Sequence, residues 1–477
     1  MRSIAAIVCL SALGFLGGCA GLDPWGEFDA LPESRSQSFH AEIDAEGPSS
    51  ADSPNLASEL TGRTLSLGEC VSVALEHNPR TAESWQAIRS AAARAGRAKA
   101  DYLPAVGFSS GASRGDPAEL DGQVDRGTQN RYDAVFGLRW LLWDGGGRAA
   151  RVDAATAEVL AVGFRHNAGL QDVTLEVVEA YYGLLAARSF RELAVETVRQ
   201  RDYQLRLAKA RHEAGVVAKS DVLRAEAEKA AADLDLVRAK NAIHLTQGRL
   251  ASAMGVRVSV GFQIRDAPPV DYSAELTDIE ILLDEAARNR PELRAAVALV
   301  RSREASVRIA ESRYWPTISL DTSFGWLGRT FLPGQRQWSV GADLDLPLWT
   351  GFDRNYQLHG SKADLDRAVA ARQAVLQGVE LEVWRAYWQT IEAAQAIRAA
   401  ERFVASAEES ARVAQGEYKS GTGTMVNLID AQTQRTAARD RLIQARLDWR
   451  TARARFERAV GRSLTDRAKP LARQESE

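Results

Sequence analysis

Apolar and polar residues alternate strictly along one stretch of the chain: Ile318, Leu320, Phe324 and Trp326 share a face with Thr322, while Ser319, Asp321, Ser323 and Gly325 share the other. A period of two is the signature of a β-strand with chemically different sides. Trp338, Val340, Ala342, Leu344 and Leu346 oppose Ser339, Gly341, Asp343 and Asp345 in the same way, and Phe136, Leu138, Trp140 and Leu142 oppose Gly137 and Arg139. Ala105–Ala112 gives a weaker fourth segment. The pattern predicts two hairpins, 104–143 and 316–349. A different period governs the chain beyond the second hairpin. Leu376, Val379, Val383, Ala386, Thr390, Ala393, Ile397, Ala400, Val404, Ala407, Ala411, Ala414 and Tyr418 fall at alternating spacings of three and four. Such a repeat specifies a supercoiled helix, and its many alanines allow close approach.

Proline placement lengthens that helix and adds a twin. The chain has 14 prolines, none between Pro117 and Pro268 or between Pro347 and Pro470. Proline is excluded from helix interiors, so Ala149–Ala214 and Asn355–Ser420 are predicted as long helices, each roughly 100 Å if wholly helical. The chain is also written twice. At a shift of 212, Pro79 matches Pro291, Tyr102 matches Tyr314 and Pro104 matches Pro316. At a shift of 206, Trp143 matches Trp349, Gly145 matches Gly351, Arg148 matches Arg354 and Gly215 matches Gly421. Each copy reads short helix (about Leu67–Asn78, and Asp278–Asn289), second helix, hairpin, long helix, turn and returning helix, over 67–255 and 278–461 with a connection at 256–277. Gly215 and Gly421 stop the long helices, and Ser220 or Thr424 is placed to cap the returning ones. The expected fold class is mainly α with a β-hairpin pair.

The strands are about 9–11 residues long, the length of a tilted membrane-spanning strand. One apolar face and one polar face suit a water-filled transmembrane barrel, with Arg139, Asp321, Asp343 and Asp345 on the lumen side. A soluble sandwich is the competing reading, for which four strands are few. Four strands cannot close in lipid, where unpaired edges are too costly, so the barrel requires two, three or four copies.

Charge changes little: 60 basic against 63 acidic residues leave a net charge of −3, which excludes a broadly basic nucleic-acid binder. The N-terminus adds more. Arg2, the apolar run from Ile4 and the ending Leu16-Gly17-Gly18-Cys19 resemble a signal peptide (1–18) closed by the lipobox of bacterial lipoproteins. The resemblance implies acylation, including palmitate, at Cys19, and Ala20 after it implies export to the outer membrane. Residues 19–66 read as a lipid-anchored tether and 462–477 as a C-terminal tail. Cys9 leaves with the signal, so Cys70 stands alone and no disulfide is expected. The histidines have no metal-ligand spacing, and no nucleophile–base pair or phosphate loop is present; neither cofactor nor enzymatic activity is expected.

The lipobox, the duplication, Trp143-Asp144-Gly145-Gly146-Gly147-Arg148 and both tip turns resemble the TolC-like outer-membrane efflux family over about residues 60–462. That likeness implies a homotrimer with a shared 12-stranded membrane β-barrel continuing into a 12-helix periplasmic α-barrel. It also implies docking onto a periplasmic adaptor protein coupled to an inner-membrane pump of RND or ABC type. By position, Tyr418, Gly421, Asn427 and Asp430 correspond to the periplasmic aperture, and Gly215, Val217, Ala218, Asp221, Gly421 and Thr422 to the adaptor-docking tips. Gly423 and Asn427 stand where some members carry Arg and Asp, which reduces a six-fold acidic ring to a three-fold one. The implied function is a passive exit duct for small molecules in a tripartite efflux pump. The exit channel of a type I protein-secretion system, or a lipid-anchored coiled-coil spacer without a pore, are the alternatives.

Overall fold

The computed structural model describes residues 60–115, 128–268, 272, 278–331 and 334–462. The signal peptide, Cys19, the tether as far as residue 59 and the tail beyond Arg462 lie outside the described residues. The described chain divides into two units, one built on Ala87–Gly163 and Ala295–Gln373, the other on residues up to Gln86, Phe164–Arg294 and those from Ala374 onward.

The element order is β1 (Thr64–Leu65), α1 (Leu67–His77), α2 (Pro79–Ala100), β2 (Ala105–Gly115), β3 (Gln129–Trp143), α3 (Gly147–Glu213), α4 (Lys219–Ala253) and β4 (Gln263–Ile264), then α5 (Ile279–Asn289), α6 (Pro291–Ser312), β5 (Thr317–Gly328), β6 (Gln335–Asp345), α7 (Asp353–Ser420) and α8 (Met425–Val460). From α1 onward the second half repeats the first, save for β4. Both long helices start two residues before the expected positions. In α3 the reason is local: the Asp144 carboxylate accepts the backbone N–H of Arg148 at 2.7 Å, so the helix forms directly after the glycines.

In the first unit β2, β3, β5 and β6 form one antiparallel sheet in the order β2-β3-β5-β6. Its outer strands, β2 and β6, each have one unpaired edge among the described residues. The register places Phe108 opposite Phe136 and Phe136 opposite Phe324, so the apolar residues of all four strands share a side.

The second unit is held by two kinds of core. Along α7 the predicted seam is buried at Val379, Val383, Ala386, Ala393, Ile397, Ala407, Ala411 and Tyr418, and the polar Thr390 returns its hydroxyl to the Ala386 carbonyl at 2.8 Å. Its partner α8 buries Ala431, Ala438, Ala445, Ala452 and Ala459, one alanine every seventh residue. Methyl-sized knobs bring the helix axes close together. The other core gathers Leu65, Cys70, Val71, Ala74, Val177, Tyr181, Leu184, Leu250, Met254, Phe262 and Ile264. Burial pushes the Cys70 thiol up to about 12, with Glu69 adding to it, so the group stays an inert packing element.

Two expectations change here. Thr64–Leu65, assigned to the tether, pairs in parallel with Gln263–Ile264 of the connection. Two residues per strand are too few to leave an alternating pattern. Ser220 does not cap α4: the cap position is Ala218, without a side-chain bond, whereas Thr424 does cap α8 through the Asn427 N–H.

Candidate functional site

The sequence marks out three sites, each inside one unit. The first is the polar side of the sheet. Arg139 lies opposite Asp321 in the ladder, Ser319 opposite Asp343 and Thr317 opposite Asp345, so all four expected lumen residues share one face. Arg139 Nε donates to Asp321 Oδ1 at 2.9 Å, and the Ser319 hydroxyl donates to the other carboxylate oxygen at 3.1 Å. Arg131 and Asp133 share that face through the same register, giving it four carboxylates against two guanidiniums. The opposite face exposes Val106, Phe108, Phe136, Trp338, Val340 and Leu344, with Trp338 at 73 %. An apolar patch of this kind on a sheet with a charged reverse side marks a surface meant for hydrocarbon or protein.

The second site is the strand-to-helix junction, which sequence reading resolved only in part. Strict alternation would put Trp143 on the charged face with Arg139. Instead the ladder shifts between Leu141 and Trp143, and Trp143 pairs with Ile318 on the apolar face. One extra residue, Leu142, makes this correction, as a β-bulge does. A bulge strands carbonyls, and Arg148 takes them up: its guanidinium donates to Leu141 O at 2.5 Å and Leu142 O at 2.8 Å. It stacks over Tyr102 at 4.8 Å, as Arg354 does over Tyr314 at 5.2 Å in the second repeat.

The turn before Arg148 needs Gly145, whose φ is +65° and whose absent Cβ would stand 2.5 Å from Trp315 Cβ. Gly351 has φ +62° but open space around it. Gly145→Ala is therefore expected to cost about 2–3 kcal/mol and Gly351→Ala about 1 kcal/mol, read as unfolding midpoints of the purified protein. Equal losses at the two positions would contradict the steric argument. Phe352 holds φ +67° where the first repeat has Gly146, and its ring packs on Trp349 at 4.8 Å.

The third site is the pair of tip turns. Gly215 (φ +72°) and Gly421 (φ +88°) reverse the chain after α3 and α7. Tyr418, at 2 % exposure, packs with Ala208, Ala225, Met425 and Leu428, which binds the two turns into one cluster. Arg211 closes it from α3: its guanidinium donates to the Tyr418 carbonyl at 2.5 Å and lies 4.7 Å over the Tyr418 ring. The buried Tyr418 hydroxyl has no hydrogen-bond partner among the described residues.

Asn427 and Asp430 are exposed on the first turns of α8, away from this cluster. Of the residues expected at the docking tips, Gly215 and Ala218 are exposed, Val217 and Asp221 half-buried, and Gly421 and Thr422 exposed. A Cβ at Gly423 would come within 2.9 Å of Glu417 Cβ, so a larger residue here requires the turn to shift. Arg211 escaped sequence reading because its partner is 207 positions away; the only local hint is a basic last turn of α3.

Comparison with known proteins gives a consistent picture. The chain is 29% identical over 403 residues to the protein CyaE of Bordetella pertussis, covering 83% of this chain and 84% of that one. It is 24% identical over 373 residues to the toluene efflux pump outer membrane protein TtgC of Pseudomonas putida, covering 76% of each. Among solved structures, the outer-membrane channel OprN superposes with a TM-score of 0.76 at 22% identity, covering 90% of this chain and 99% of that one. The sequence profile of the family described as outer membrane efflux protein matches residues 70–256 and 282–462, and the chain belongs to that family.

Proposed function

We propose that three copies of this efflux protein close a 12-stranded barrel in the outer membrane and form the passive exit duct of a tripartite pump. The observation that carries the reading is the sheet: a lipid-compatible face, a charged reverse face and two unpaired edge strands in the same four-stranded unit. Lipid offers no hydrogen bonds to a bare strand edge, so β6 of one copy must pair with β2 of the next until the ring closes. The helical unit then supplies the periplasmic wall. Its turns at Gly215–Asp221 and Gly421–Thr422 supply the docking surface for an adaptor protein, which couples the duct to an inner-membrane pump. Cys19 carries the lipid that anchors the N-terminus, as its lipobox supports. Energy comes from the pump; the duct contributes a path.

Planar-bilayer conductance of the purified oligomer tests this. Discrete pores with cation preference are expected, because carboxylates outnumber guanidiniums on the polar face. Asp343→Asn with Asp345→Asn should reduce that preference without abolishing the pore. A folded oligomer that conducts nothing would refute the duct and favour a spacer.

A further inference from the structure

One backbone outlier separates the two strand-to-helix junctions. Phe352 holds φ +67° where its counterpart at the shift of 206 is Gly146, at φ +86°. A left-handed backbone is free for glycine and strained for an aromatic residue, so the second junction keeps a ring that its twin does without. Burial does not repay the strain. Phe352 is 55 % exposed and meets edge-on, at 4.8 Å, the ring of Trp349, which is 72 % exposed. Leu348 before them is 85 % exposed. It continues the alternate row of Val340, Leu344 and Leu346 beyond the end of β6.

The first junction shows what a neighbouring strand leaves open. There β5 lies against β3, yet Leu142, Trp143 and Gly146 stay exposed, and nothing stands within 4 Å of a Cβ built at Gly146. Ala150 is buried, so its counterpart Tyr356 occupies a position that a neighbour covers and is left out of the site. Charge changes at the same place. In the first junction Arg148 lies 3.6 Å from Asp144, and Arg151 lies 3.3 Å from Asp101. The counterparts of those two carboxylates are Thr350 and Arg313. Arg354 donates to the Thr350 hydroxyl at 3.3 Å and to the Arg313 carbonyl at 3.2 Å, and Arg313 donates to the Gln357 amide oxygen. Asp353, the nearest acid in sequence, accepts from Gln357 instead. Neither guanidinium meets a carboxylate among the described residues.

Resting on the membrane duct proposed above, we propose that Leu348, Trp349 and Phe352, with Arg313 and Arg354, form a site for one anionic phospholipid at the helix-side rim of the barrel. The exposed ridge continues the face that meets hydrocarbon, and amphipathic rings favour the boundary between acyl chains and headgroups. The two guanidiniums supply charge-assisted hydrogen bonds to the headgroup phosphate. They repel the ammonium of a zwitterionic headgroup, which selects the anionic lipid. Glycine and paired arginines leave the first junction without these features, so each chain carries one such site.

Native mass spectrometry of the full-length oligomer, released from micelles holding equal phosphatidylglycerol and phosphatidylcholine, reads lipid and oligomer mass together. Retained phosphatidylglycerol is expected up to one per chain, about fivefold over phosphatidylcholine. Phe352→Gly installs the residue its twin already uses, so it relieves the backbone and should leave oligomer mass and conductance unchanged. It should lower the retained phosphatidylglycerol about fivefold, as should Arg313→Gln, each a change of about 1 kcal/mol in binding. Equal retention of the two lipids, or phosphatidylglycerol retention unmoved by both variants, overturns the site and leaves the duct standing. Monomers from Phe352→Gly would give the ridge to a second copy and overturn the lipid. Adducts of inorganic phosphate that displace phosphatidylglycerol would assign a free-anion site and overturn it too. Unmodified protein that neither oligomerises nor conducts overturns the duct as well.

Discussion

Arg211→Glu should leave the proposed aperture open, raising the time-averaged conductance of the channel by one to two orders of magnitude. Arg211 supplies a charge-assisted hydrogen bond to the Tyr418 carbonyl and a cation–π contact with its ring. The first is worth about 1.5–3 kcal/mol and the second about 0.5–2 kcal/mol. Allowing for partial exposure of Arg211, about 2–3 kcal/mol holds the turn after α7 against the end of α3, enough to shift a two-state balance by about 30–150-fold. Arg211→Lys keeps the charge and loses the planar stack, so it should fall between. Tyr418→Phe is expected to move the other way. The closed packing buries a hydroxyl that no described residue satisfies, and deleting it favours that packing. Conductance unchanged in Arg211→Glu, or raised in Tyr418→Phe, would remove the latch from this pair.

The second large effect concerns Arg290, which is 3 % exposed between α5 and α6. Its guanidinium donates to Glu292 at 2.9 Å and Glu382 at 2.7 Å, and to the Arg458 and Ala459 carbonyls at 3.2 Å. One side chain thus neutralises a carboxylate on α7 and satisfies the last turn of α8, where a cation is favoured. Arg290→Ala leaves the Arg458 and Ala459 carbonyls without this donor and Glu382 with Arg458 alone, and should cost about 2–3 kcal/mol, measured by denaturant unfolding in detergent. Lysine offers one point charge in place of a fork and should recover only part.

Acid should reproduce the loss gradually. Burial alone would raise the Glu382 carboxyl, but Arg290 and Arg458 overcome it and hold the group below 4.5. A carboxylate depressed in the folded state stabilises above its unfolded pKa and loses that contribution as pH falls through the folded one. The stability gap between the unaltered protein and Glu382→Gln should therefore be full near pH 6 and narrow below about 4.5. A gap independent of pH would mean the pair contributes nothing.

Features with a period were readable from the chain. Alternation located three of the four strands and sorted Arg139, Asp321, Asp343 and Asp345 onto one side, and the heptad from Leu376 to Tyr418 anticipated the buried stripe of α7. The features that escaped have no period to read. Thr64–Leu65 and Gln263–Ile264 are two-residue strands joined across some two hundred residues. Arg211 acts through a contact equally remote in sequence. Phe352 adopts a left-handed backbone that nothing nearby announces, since its counterpart is a glycine. Leu142 is instructive in another way: the alternation there was read correctly up to the residue where the chain departs from it.

That single surplus residue also sets where this protein can change its length. Between Leu141 and Arg148 the count matters, because the surplus residue makes the bulge, and a deletion after it would move Arg148 away from the two carbonyls it holds. A hairpin transplanted from a relative will keep this junction only if the bulge and the arginine that caps it travel together.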